Sequence, residues 1–336
     1  MNYNKKLEAV EELYEGLISQ SKPVTLFVAP RIRYTHKKSD YLYLFYKKLL
    51  DSSDYIIFDV STAGHLKFIL HQLIKHDSIL HYHWIQFSGF GSIFGYLFKL
   101  FCIQIYLLLG GKLVWSLHNK IPPDCSNEWL HIKARRWLAK KADRLVVECE
   151  SVIPDLSIYF NVSPKKFRIW PHPGFPPQLM PRAAAIEAIN HRYDVQIKIQ
   201  DRLFLMFGHI SPYKQIHNVC NIFKEEPYHK KLLVVGPVKK GQLAYYKKIR
   251  KTTQNMDNVI LIPQFIKETH VPEFMNAADY LVFNYREVLT SGGVPLAKSY
   301  DKTIILPKKG CLKEQEGENL KFFKSQEELK NIIQEL

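Results

Sequence analysis

The sequence is poor in cysteine, and its cysteines form no motif typical of a zinc or redox site. Five of its 336 residues are Cys, and no two stand at the Cys-x-x-Cys spacing of zinc and redox sites. We therefore expect a reducing compartment. The first ten residues are polar and charged where a secretory signal would be apolar, which favours a cytoplasmic protein.

The sequence also lacks the two common glycine-rich nucleotide motifs. It has only 15 Gly, with neither Gly-x-Gly-x-x-Gly nor Gly-Lys-Ser/Thr, which argues against a dinucleotide oxidoreductase and a P-loop NTPase. Its 46% hydrophobic residues exclude a disordered or collagen-like chain, and its length predicts two globular domains.

Acidic residues are scarce relative to basic ones. The chain has 32 Asp and Glu against 47 Lys and Arg, a net charge of +15. This excess calls for an anionic partner: nucleic acid, an acidic membrane surface or a phosphorylated small molecule. No recognised nucleic-acid-binding motif is present, so a nucleic-acid-binding protein stays only an alternative, and no nucleic-acid partner is expected.

Short apolar runs alternate with longer amphipathic stretches along the whole chain, which predicts an α/β fold of parallel βαβ units. Strands are predicted at Val24–Ala29, Tyr55–Val60, Ile79–Trp84, Lys112–Leu117, Arg144–Glu148, Phe167–Trp170, Leu203–Gly208, Lys231–Gly236, Asn258–Ile262, Tyr280–Phe283 and Thr303–Leu306. Four prolines at 171–177 predict an interdomain linker. The predicted domains, 1–173 and 174–336, are doubly wound and face a central cleft.

The stretch Phe87–Gly111 has Lys99 as its only charge. Predicted strands bracket it, which favours a buried crossover helix. The alternative is a helix whose outer face dips into a membrane interface, which aromatic residues such as Phe94 and Phe101 favour. Before the first strand, a further helix is predicted at Lys5–Ser19.

One predicted phosphate-binding loop runs from Phe207 to Lys214, between a strand and a helix. Gly208 lets the backbone approach a ligand, free amides face a helix start, and Lys214 adds a positive charge. An ordinary turn with a solvated Lys is the alternative.

A second loop of the same kind covers Asn284 to Gly293. Thr290 and Ser291 supply hydroxyls, while Gly292 allows close backbone approach at a helix start. Because two such loops follow strands of one domain, we predict a shared diphosphate site.

In the first domain, His118 and Asp124 follow a predicted strand. With a near-neutral pKa, His118 could accept a hydroxyl proton, and Asp124 could do so or orient the imidazole. A structural His at a strand end is the alternative. His81 and His83 lie at i, i+2, but no third ligand has a suitable spacing, so no metal site is predicted.

The basic excess has two concentrations in the first domain. One is the loop Arg31–Lys38, and the other is the predicted helix that carries Lys133, Arg135, Arg136, Lys140 and Lys141. Lysines and arginines near an anionic membrane contribute about 1 kcal/mol each. We therefore expect peripheral attachment to an anionic membrane surface.

Several segments resemble glycosyltransferases of the GT-B fold, in particular the bacterial family 4-like group that builds capsular, exopolysaccharide or lipopolysaccharide chains. The runs that carry the resemblance are FGHISPYKQI, AADYLVFNYREVLTSGG, LHYHW, WSLHN and the HP of the linker. It covers nearly the whole chain. It implies two Rossmann-like domains, with residues 1–173 binding the acceptor and 174–336 binding a nucleotide sugar.

The resemblance also assigns residues. It places the donor diphosphate on Lys214, Thr290, Ser291 and Gly292, and the nucleobase on the main chain of Gln264, Phe265 and Ile266. It adds Gly208, His209, Tyr285 and Arg286 to the donor site, and it makes Glu287 a catalytic residue as the first acid of a paired-Glu motif.

Three positions depart from the pattern. The second Glu is replaced by Pro295, His209 stands where many relatives have Arg, and Gln215 replaces a common Gly. The tyrosine-led LTSG form is most similar to transferases of lipid-linked acceptors, including β-mannosyltransferase-like ones. Because the second Glu is lost, retention of anomeric configuration is not inferred.

The expected activity is transfer of a hexose from a UDP- or GDP-sugar to a hydroxyl of a lipid-linked glycan. We expect it at the inner face of the cytoplasmic membrane, without a metal or a cofactor. The alternative is a catalytically inactive GT-B scaffold in a polysaccharide-synthesis complex, which the replaced Glu and Arg positions favour.

Overall fold

A computed structural model describes residues 10–18, 22–85, 93–125 and 127–336 of the chain. The chain divides into two compact units, Met1–Pro173 and Gly174–Leu336. Each unit is built on its own parallel sheet of six strands.

The sheet of the first unit has the strand order β2-β1-β3-β4-β5-β6. Its strands are β1 Val24–Ala29, β2 Tyr55–Asp59, β3 Ser78–Tyr82, β4 Lys112–Ser116, β5 Arg144–Val147 and β6 Phe167–Ile169. All five residues of β3 are buried, because helices cover both faces of this central strand. In register, His81 pairs with Val114, so residues 81 and 116 point to the same face of the sheet.

Within the described residues of the first unit, five α-helices follow its strands. They are α1 Tyr41–Leu50, α2 His65–Lys75, α3 Ile93–Leu108, α4 Glu128–Lys141 and α5 Ile153–Phe160. Asp40 caps α1 by accepting a hydrogen bond from the Tyr43 amide (2.9 Å). His76 ends α2 with a left-handed backbone (φ 58°).

The second unit has the strand order β12-β11-β10-β7-β8-β9. Its strands are β7 Arg202–Phe207, β8 Lys230–Val235, β9 Val259–Ile262, β10 Tyr280–Val282, β11 Thr303–Pro307 and β12 Leu320–Phe323. Its helices are α6 Arg182–Tyr193, α7 Ile216–Ile222, α8 Leu243–Thr253, α9 Val271–Ala277, α10 Gly293–Ser299 and α11 Gln326–Glu335.

The core of the second unit lies on both faces of its sheet. Leu203 and Leu205 of β7 pack into one buried cluster, whereas Phe204 and Met206 pack into another. Alternate residues of a strand point to opposite faces, so both faces are covered by helices. The sheet is therefore doubly wound, as predicted for this half of the chain.

All eleven predicted strands are present, with ends that differ by two residues or fewer. The twelfth strand, β12, escaped prediction because it carries the exposed Lys321 at the edge of the sheet. The predicted helix Lys5–Ser19 is wrong where the structure describes it: residues 10–18 hold a single 3-10 turn, Val10–Leu13, and the backbone of Gly16 is left-handed (φ 70°).

The segment Phe87–Gly111 forms the predicted crossover helix α3, although residues 86–92 lie outside the described residues. The prediction that this helix is buried is wrong, because Phe94 and Phe101 are exposed. The helix packs one side on the sheet and another against α2. In the described part of the chain, no helix is long and apolar enough to cross a membrane.

The proline-rich segment divides at the boundary of the units. Pro171, His172 and Pro173 are buried in the first unit, and Gly174 is exposed. The Nδ1 of His172 donates a hydrogen bond to the carbonyl of Pro173 (2.7 Å), which fixes the end of this unit.

Candidate functional site

Two loops of the second unit follow β7 and β10, the neighbouring strands between which the strand order of the sheet reverses. The chain proceeds from β7 to β8 and β9 on one side, and returns to β10 on the other. In open α/β sheets, ligands bind outside the carboxyl ends of the strands at such a switch point. The β7 loop (residues 208–215) and the β10 loop (residues 283–292) occupy that position.

The two loops contact each other directly. The backbone amide of Arg286 donates a hydrogen bond to the carbonyl of Tyr213 (2.8 Å). The rings of Tyr213 and Tyr285 stack nearly parallel, with centroids 5.6 Å apart and planes 5° apart. The structure therefore brings into contact two segments that the sequence analysis assigned to one shared site.

Lys214 is a buried cation at the base of the β7 loop. Its Nζ donates a hydrogen bond to the carbonyl of Phe207 (2.8 Å). Burial lowers the pKa of Lys214 to about 8. Since an ammonium group has three protons, this bond leaves donors for an anionic ligand.

Gly208 and Gly236 allow the backbone to approach closely behind Lys214. Gly208 has a left-handed backbone (φ 96°), and a Cβ there would lie 2.9 Å from the Lys214 Nζ. A Cβ on Gly236 (φ 136°) would lie 2.5 Å from the carbonyl oxygen of Gly208. Only glycine fits this pair of strand ends without displacement.

The β10 loop is also held from within and from its other side. The hydroxyls of Tyr285 and Ser291 are 2.8 Å apart and share a hydrogen bond. Lys309 Nζ donates to the carbonyl of Arg286 (2.8 Å), and the Cys311 amide donates to the carbonyl of Leu289 (2.8 Å). The loop is thus fixed between the ends of β7 and β11.

His209 and Lys239 extend the positive charge of this site. The side chain of His209 is exposed on the β7 loop, and its pKa is lowered by partial burial of the ring and by the charges of Lys214 and Lys239. The Nζ of Lys239 lies 5.9 Å from the ring centroid of Tyr213. Sequence reasoning missed Lys239, although its position just after a predicted strand was the available signal.

The other predicted donor-site residues lie at the same edge of the sheet. Glu287 and Gly292 are exposed on the β10 loop, and Thr290 is half-buried there. Gln264, Phe265 and Ile266 follow β9, which is separated from β7 by β8. Among these last three, the Phe265 ring is exposed and Ile266 belongs to the core.

In the first unit, four histidines gather near the carboxyl ends of β3 and β4. They are His81, His83, His118 and His172. The rings of His81 and His83 stack with centroids 4.3 Å apart. The ring of Trp84 stacks on His118 at 4.5 Å. The signal in the sequence was the alternation of the LHYHW strand, which points both histidines to one face.

Hydrogen bonds connect this cluster into a chain. The Oγ of Ser116 lies 2.9 Å from the Nε2 of His81. The hydroxyl of Tyr46 lies 2.6 Å from His81 Nδ1 and 2.7 Å from His83 Nε2. His83 Nδ1 lies 3.3 Å from His118 Nε2. The order is therefore Ser116, His81, Tyr46, His83 and His118.

Burial keeps these imidazoles neutral. Burial, with smaller electrostatic contributions from His172 and Arg135, lowers the pKa of His118 to about 3. The pKa of His81 is about 3 and that of His172 about 4, mainly through burial, and that of His83 lies well below its ordinary value. The expectation of a near-neutral pKa for His118 is therefore wrong.

A small pocket adjoins His118 within the first unit. It is lined by His83, Trp84, Ile85, His118, Asn119, Pro122 and Arg135. The buried Arg135 guanidinium donates to the carbonyls of Ile85 (3.3 Å), Lys120 (3.1 Å) and Asn119. It thereby ties together the segments that follow β3 and β4, and burial lowers its pKa to about 10.

Asp124, the other candidate base, lies in the segment between β4 and α4. Its backbone is left-handed (φ 51°), a conformation that Asp adopts more readily than most residues. The side chain is half-buried. Within the described residues, no group of three His, Cys, Asp or Glu side chains could hold a metal ion.

No family model matches the chain, and no curated protein matches it. Solved structures do match. HepE from Anabaena, in complex with UDP and glucose, has a TM-score of 0.64 at 15% identity over 94% of this chain and 89% of that one. Sucrose-phosphate synthase from Thermosynechococcus elongatus has a TM-score of 0.62 at 13% identity, over 99% and 82%.

A third similar structure is the catalytic domain of starch synthase IV from Arabidopsis thaliana, bound to ADP and acarbose. Its TM-score is 0.61 at 10% identity, over 94% of this chain and 91% of that one. These neighbours are GT-B glycosyltransferases, and they match across both parallel six-stranded sheets. At such identities the likeness establishes architecture alone, and by that measure the chain has the GT-B fold.

Proposed function

We propose that the protein is a hexosyltransferase that uses a nucleotide sugar, and that the β7 and β10 loops bind the donor diphosphate. The observation that carries this proposal is the hydrogen bond from Arg286 to Tyr213, which places the buried Lys214 beside the hydroxyl-bearing β10 loop. A diphosphate needs both a cation and several hydrogen-bond donors in one place. Lys214, Thr290, Ser291 and Gly292 supply them.

Charge stabilisation is the main task of this site. Negative charge grows on the leaving diphosphate as its bond to the sugar breaks, and donors fixed in advance stabilise that charge. Lys214 faces little competition from water, because it is buried. Lys239 and Arg286 add positive charge nearby, so the proposed chemistry requires no metal ion and no cofactor.

The donor is proposed to be a UDP- or GDP-sugar. HepE was solved with UDP and glucose, and starch synthase IV with ADP, which supports a nucleotide ligand without fixing the base. Main-chain groups of Gln264 to Ile266 are the proposed nucleobase contacts, with the exposed ring of Phe265 beside them. Glu287, exposed next to Arg286, is proposed to bind hydroxyls of the transferred sugar.

The first unit is proposed to hold the acceptor. A His118 with a pKa of about 3 is neutral at pH 7 but is a weak base. Asp124, the other candidate, is proposed as the general base, with the neutral His118 as a hydrogen-bonding partner of the acceptor hydroxyl. A lipid-linked glycan in surface-polysaccharide synthesis is the proposed acceptor, with the enzyme attached to the cytoplasmic face of an anionic membrane.

The two basic segments contribute less to this attachment than their sequences suggest. In the loop Arg31–Lys38, the Arg33 Nε is 2.9 Å from a carboxylate oxygen of Asp40, and the Arg31 Nε is 3.8 Å from one of Asp59. In α4, Arg135 is buried. Several of these charges are thus neutralised or turned inward.

A thermal-shift screen with UDP-, GDP-, ADP- and dTDP-sugars tests the donor proposal. At about 100 times its dissociation constant, a specific donor should stabilise the protein by roughly 2.7 kcal/mol. The Lys214→Ala variant should lose this stabilisation. Absence of stabilisation by every nucleotide sugar in the wild type would overturn the proposal.

The second candidate function is an inactive scaffold, which Pro295 favours because it stands where a second catalytic Glu would be. Both candidates allow nucleotide binding, so binding does not separate them. Incubation with radiolabelled nucleotide sugars and a membrane extract does. Transfer or hydrolysis of any donor excludes the scaffold, whereas binding without turnover supports it.

A further inference from the structure

The outward sides of α2 and α3 in the first unit expose a continuous row of large apolar side chains. They are Leu66, Leu70, Leu73 and Ile74 of α2, and Phe94, Leu97, Phe98, Phe101 and Leu108 of α3. We name this set the α2–α3 face. Ile74, Phe94 and Phe101 are 74%, 79% and 63% exposed. Exposed apolar groups of this extent mark interaction sites rather than ordinary surface.

Helical spacing places these residues in two stripes. Leu66, Leu70 and Ile74 follow one another at four-residue intervals, and Phe94, Phe101 and Leu108 at seven-residue intervals. Each interval returns to nearly the same side of a helix. Each helix therefore has one apolar side toward the sheet and another toward solvent.

The two stripes lie side by side because the helices run parallel. His65 and Phe98, near the starts of α2 and α3, have ring centroids 6.4 Å apart. Phe68 and Tyr106 pack edge to face at 5.1 Å. Near the ends of the helices, the side-chain amide of Gln72 donates to the carbonyl of Leu109 (3.3 Å). The stripes thus form one surface.

The charges of these helices have one sign. Lys67 and Lys75 of α2 and Lys99 of α3 are their only formally charged side chains, and neither helix contains Asp or Glu. Long lysine side chains can lie along apolar surface and keep their ammonium groups in water. An apolar face with lysines and no carboxylates complements a layer that is apolar inside and anionic at its surface.

A second copy of the chain is a poorer match to this face. A symmetric contact would bring the same lysines together without an acid to pair them, which is unfavourable. We propose that the α2–α3 face inserts into the interface of a membrane that contains anionic lipids. This inference rests on the membrane attachment in the proposed function and is independent of sugar transfer.

Vesicle co-sedimentation tests the inference on the full-length protein. The variant is Leu70→Glu combined with Phe101→Glu, and the control is Ile158→Glu, at a residue of α5 that is 82% exposed. Vesicles contain phosphatidylcholine alone or mixed with phosphatidylglycerol. We expect the wild type and the control to bind the mixed vesicles. The affinity of the double variant for these vesicles should be lower by at least about tenfold.

Salt dependence separates insertion from attraction by lysines alone. Raising the salt concentration screens surface charges but not apolar contacts, so wild-type binding should be reduced but retained. Equal binding by the double variant and the wild type would overturn the inference, as would complete loss of wild-type binding in high salt. A third outcome is also distinguishable. If the wild type self-associates without binding vesicles, and the double variant does not self-associate, the face binds a second copy of the chain instead.

Nucleotide-sugar binding of the same variants is the independent readout. Because the α2–α3 face and the β7 and β10 loops lie in different units, the double variant should retain its thermal shift with the donor. A retained shift also demonstrates that the second unit of the variant is folded, and far-ultraviolet circular dichroism checks the whole chain. Donor binding without vesicle binding in the wild type would overturn the membrane inference and leave the donor proposal intact.

Discussion

The amide of Arg286 donates its hydrogen bond to the carbonyl of Tyr213, and this bond joins two loops that are remote in sequence. Neither partner uses its side chain, so the contact is a property of the backbone paths of the two loops. The stacked rings of Tyr213 and Tyr285 reinforce it. Lys214, next in sequence to Tyr213, is thereby held in a fixed position relative to the β10 loop.

Replacing Lys214 by Ala should greatly reduce affinity for a nucleoside diphosphate. The buried ammonium is the proposed partner of the phosphate charge, and a hydrogen bond to a charged group contributes about 1.5–3 kcal/mol. We expect a loss of about tenfold to a hundredfold in affinity, measured by calorimetry with UDP or GDP. Lys247→Ala, at an exposed residue of α8, is the matched control. Equal affinities of both variants would refute the assignment.

The same lysine predicts how donor binding varies with pH. Burial lowers the pKa of Lys214 to about 8, so the free protein loses this charge above pH 8. The dissociation constant for a nucleoside diphosphate should therefore rise by up to about tenfold between pH 7.5 and 9. The Lys214→Ala variant should lack this dependence. A wild-type affinity that is constant over this range would contradict the prediction.

Gly236→Ala should destabilise the second unit more than Gly241→Ala. Both glycines have left-handed backbones, with φ of 136° and 83°, so both variants incur conformational strain. A Cβ at position 236 would also lie 2.5 Å from the Gly208 carbonyl oxygen, whereas nothing lies within 4 Å at position 241. Urea unfolding followed by circular dichroism measures the free energy of unfolding of both variants. Equal decreases would show that the close approach at position 236 does not add to the destabilisation.

The first unit should lose stability as the pH falls below about 6.5. The pKa values of His81, His83, His118 and His172 are all lowered by burial, so the unfolded chain binds more protons than the folded one in this range. All five Trp lie in residues 1–173, so their fluorescence reports on this unit. We expect a lower urea midpoint at pH 5 than at pH 7.5, and a smaller difference in His118→Asn. Identical wild-type midpoints would contradict this.

Removing the hydroxyl of Tyr46 should change the tautomer of His118. The hydroxyl of Tyr14 also bonds His81 Nδ1 (2.7 Å), so loss of the Tyr46 hydroxyl acts mainly on His83 Nε2, whose partner it removes. The tautomer of His83 in turn decides whether its Nδ1 donates or accepts toward His118. We expect the ¹⁵N shifts of His118 in Tyr46→Phe to indicate a different tautomer ratio from the wild type. Tyr43→Phe, on the same helix, is the control. Unchanged His118 shifts in Tyr46→Phe would show that His118 is not coupled to Tyr46 through the hydrogen bonds of the histidine cluster.

The sequence was sufficient to predict all strands of the first sheet and all but one of the second. Buried parallel strands are short apolar runs, which the local sequence pattern reveals. It failed at β12, where edge exposure permits Lys321 and weakens that pattern. The β7 and β10 loops were predicted from their Gly, Lys and hydroxyl residues, and were assigned to one site because both follow strands of the same domain. Their contact through Arg286 and Tyr213 involves main-chain atoms, which leave no mark on residue identity.

Burial was the other quantity that local pattern could not supply. His118 stands in a polar segment, yet its ring is enclosed by Trp84 and the neighbouring imidazoles, which lowers its pKa far from the expected value. Arg135 lies among basic residues that read as an exposed stripe, yet it turns inward to three carbonyls. Both outcomes depend on tertiary packing across strands and helices.

The burial of Pro171 to Pro173 decides where the chain can be cut. Proteases require an extended, accessible segment, and the last three residues of the first unit offer none because His172 is enclosed and bonded to Pro173. Accessibility begins at Gly174. A cleavage that is meant to release the amino-terminal half with its histidine cluster complete must therefore fall after Pro173, and one placed before Pro171 would remove a member of that cluster.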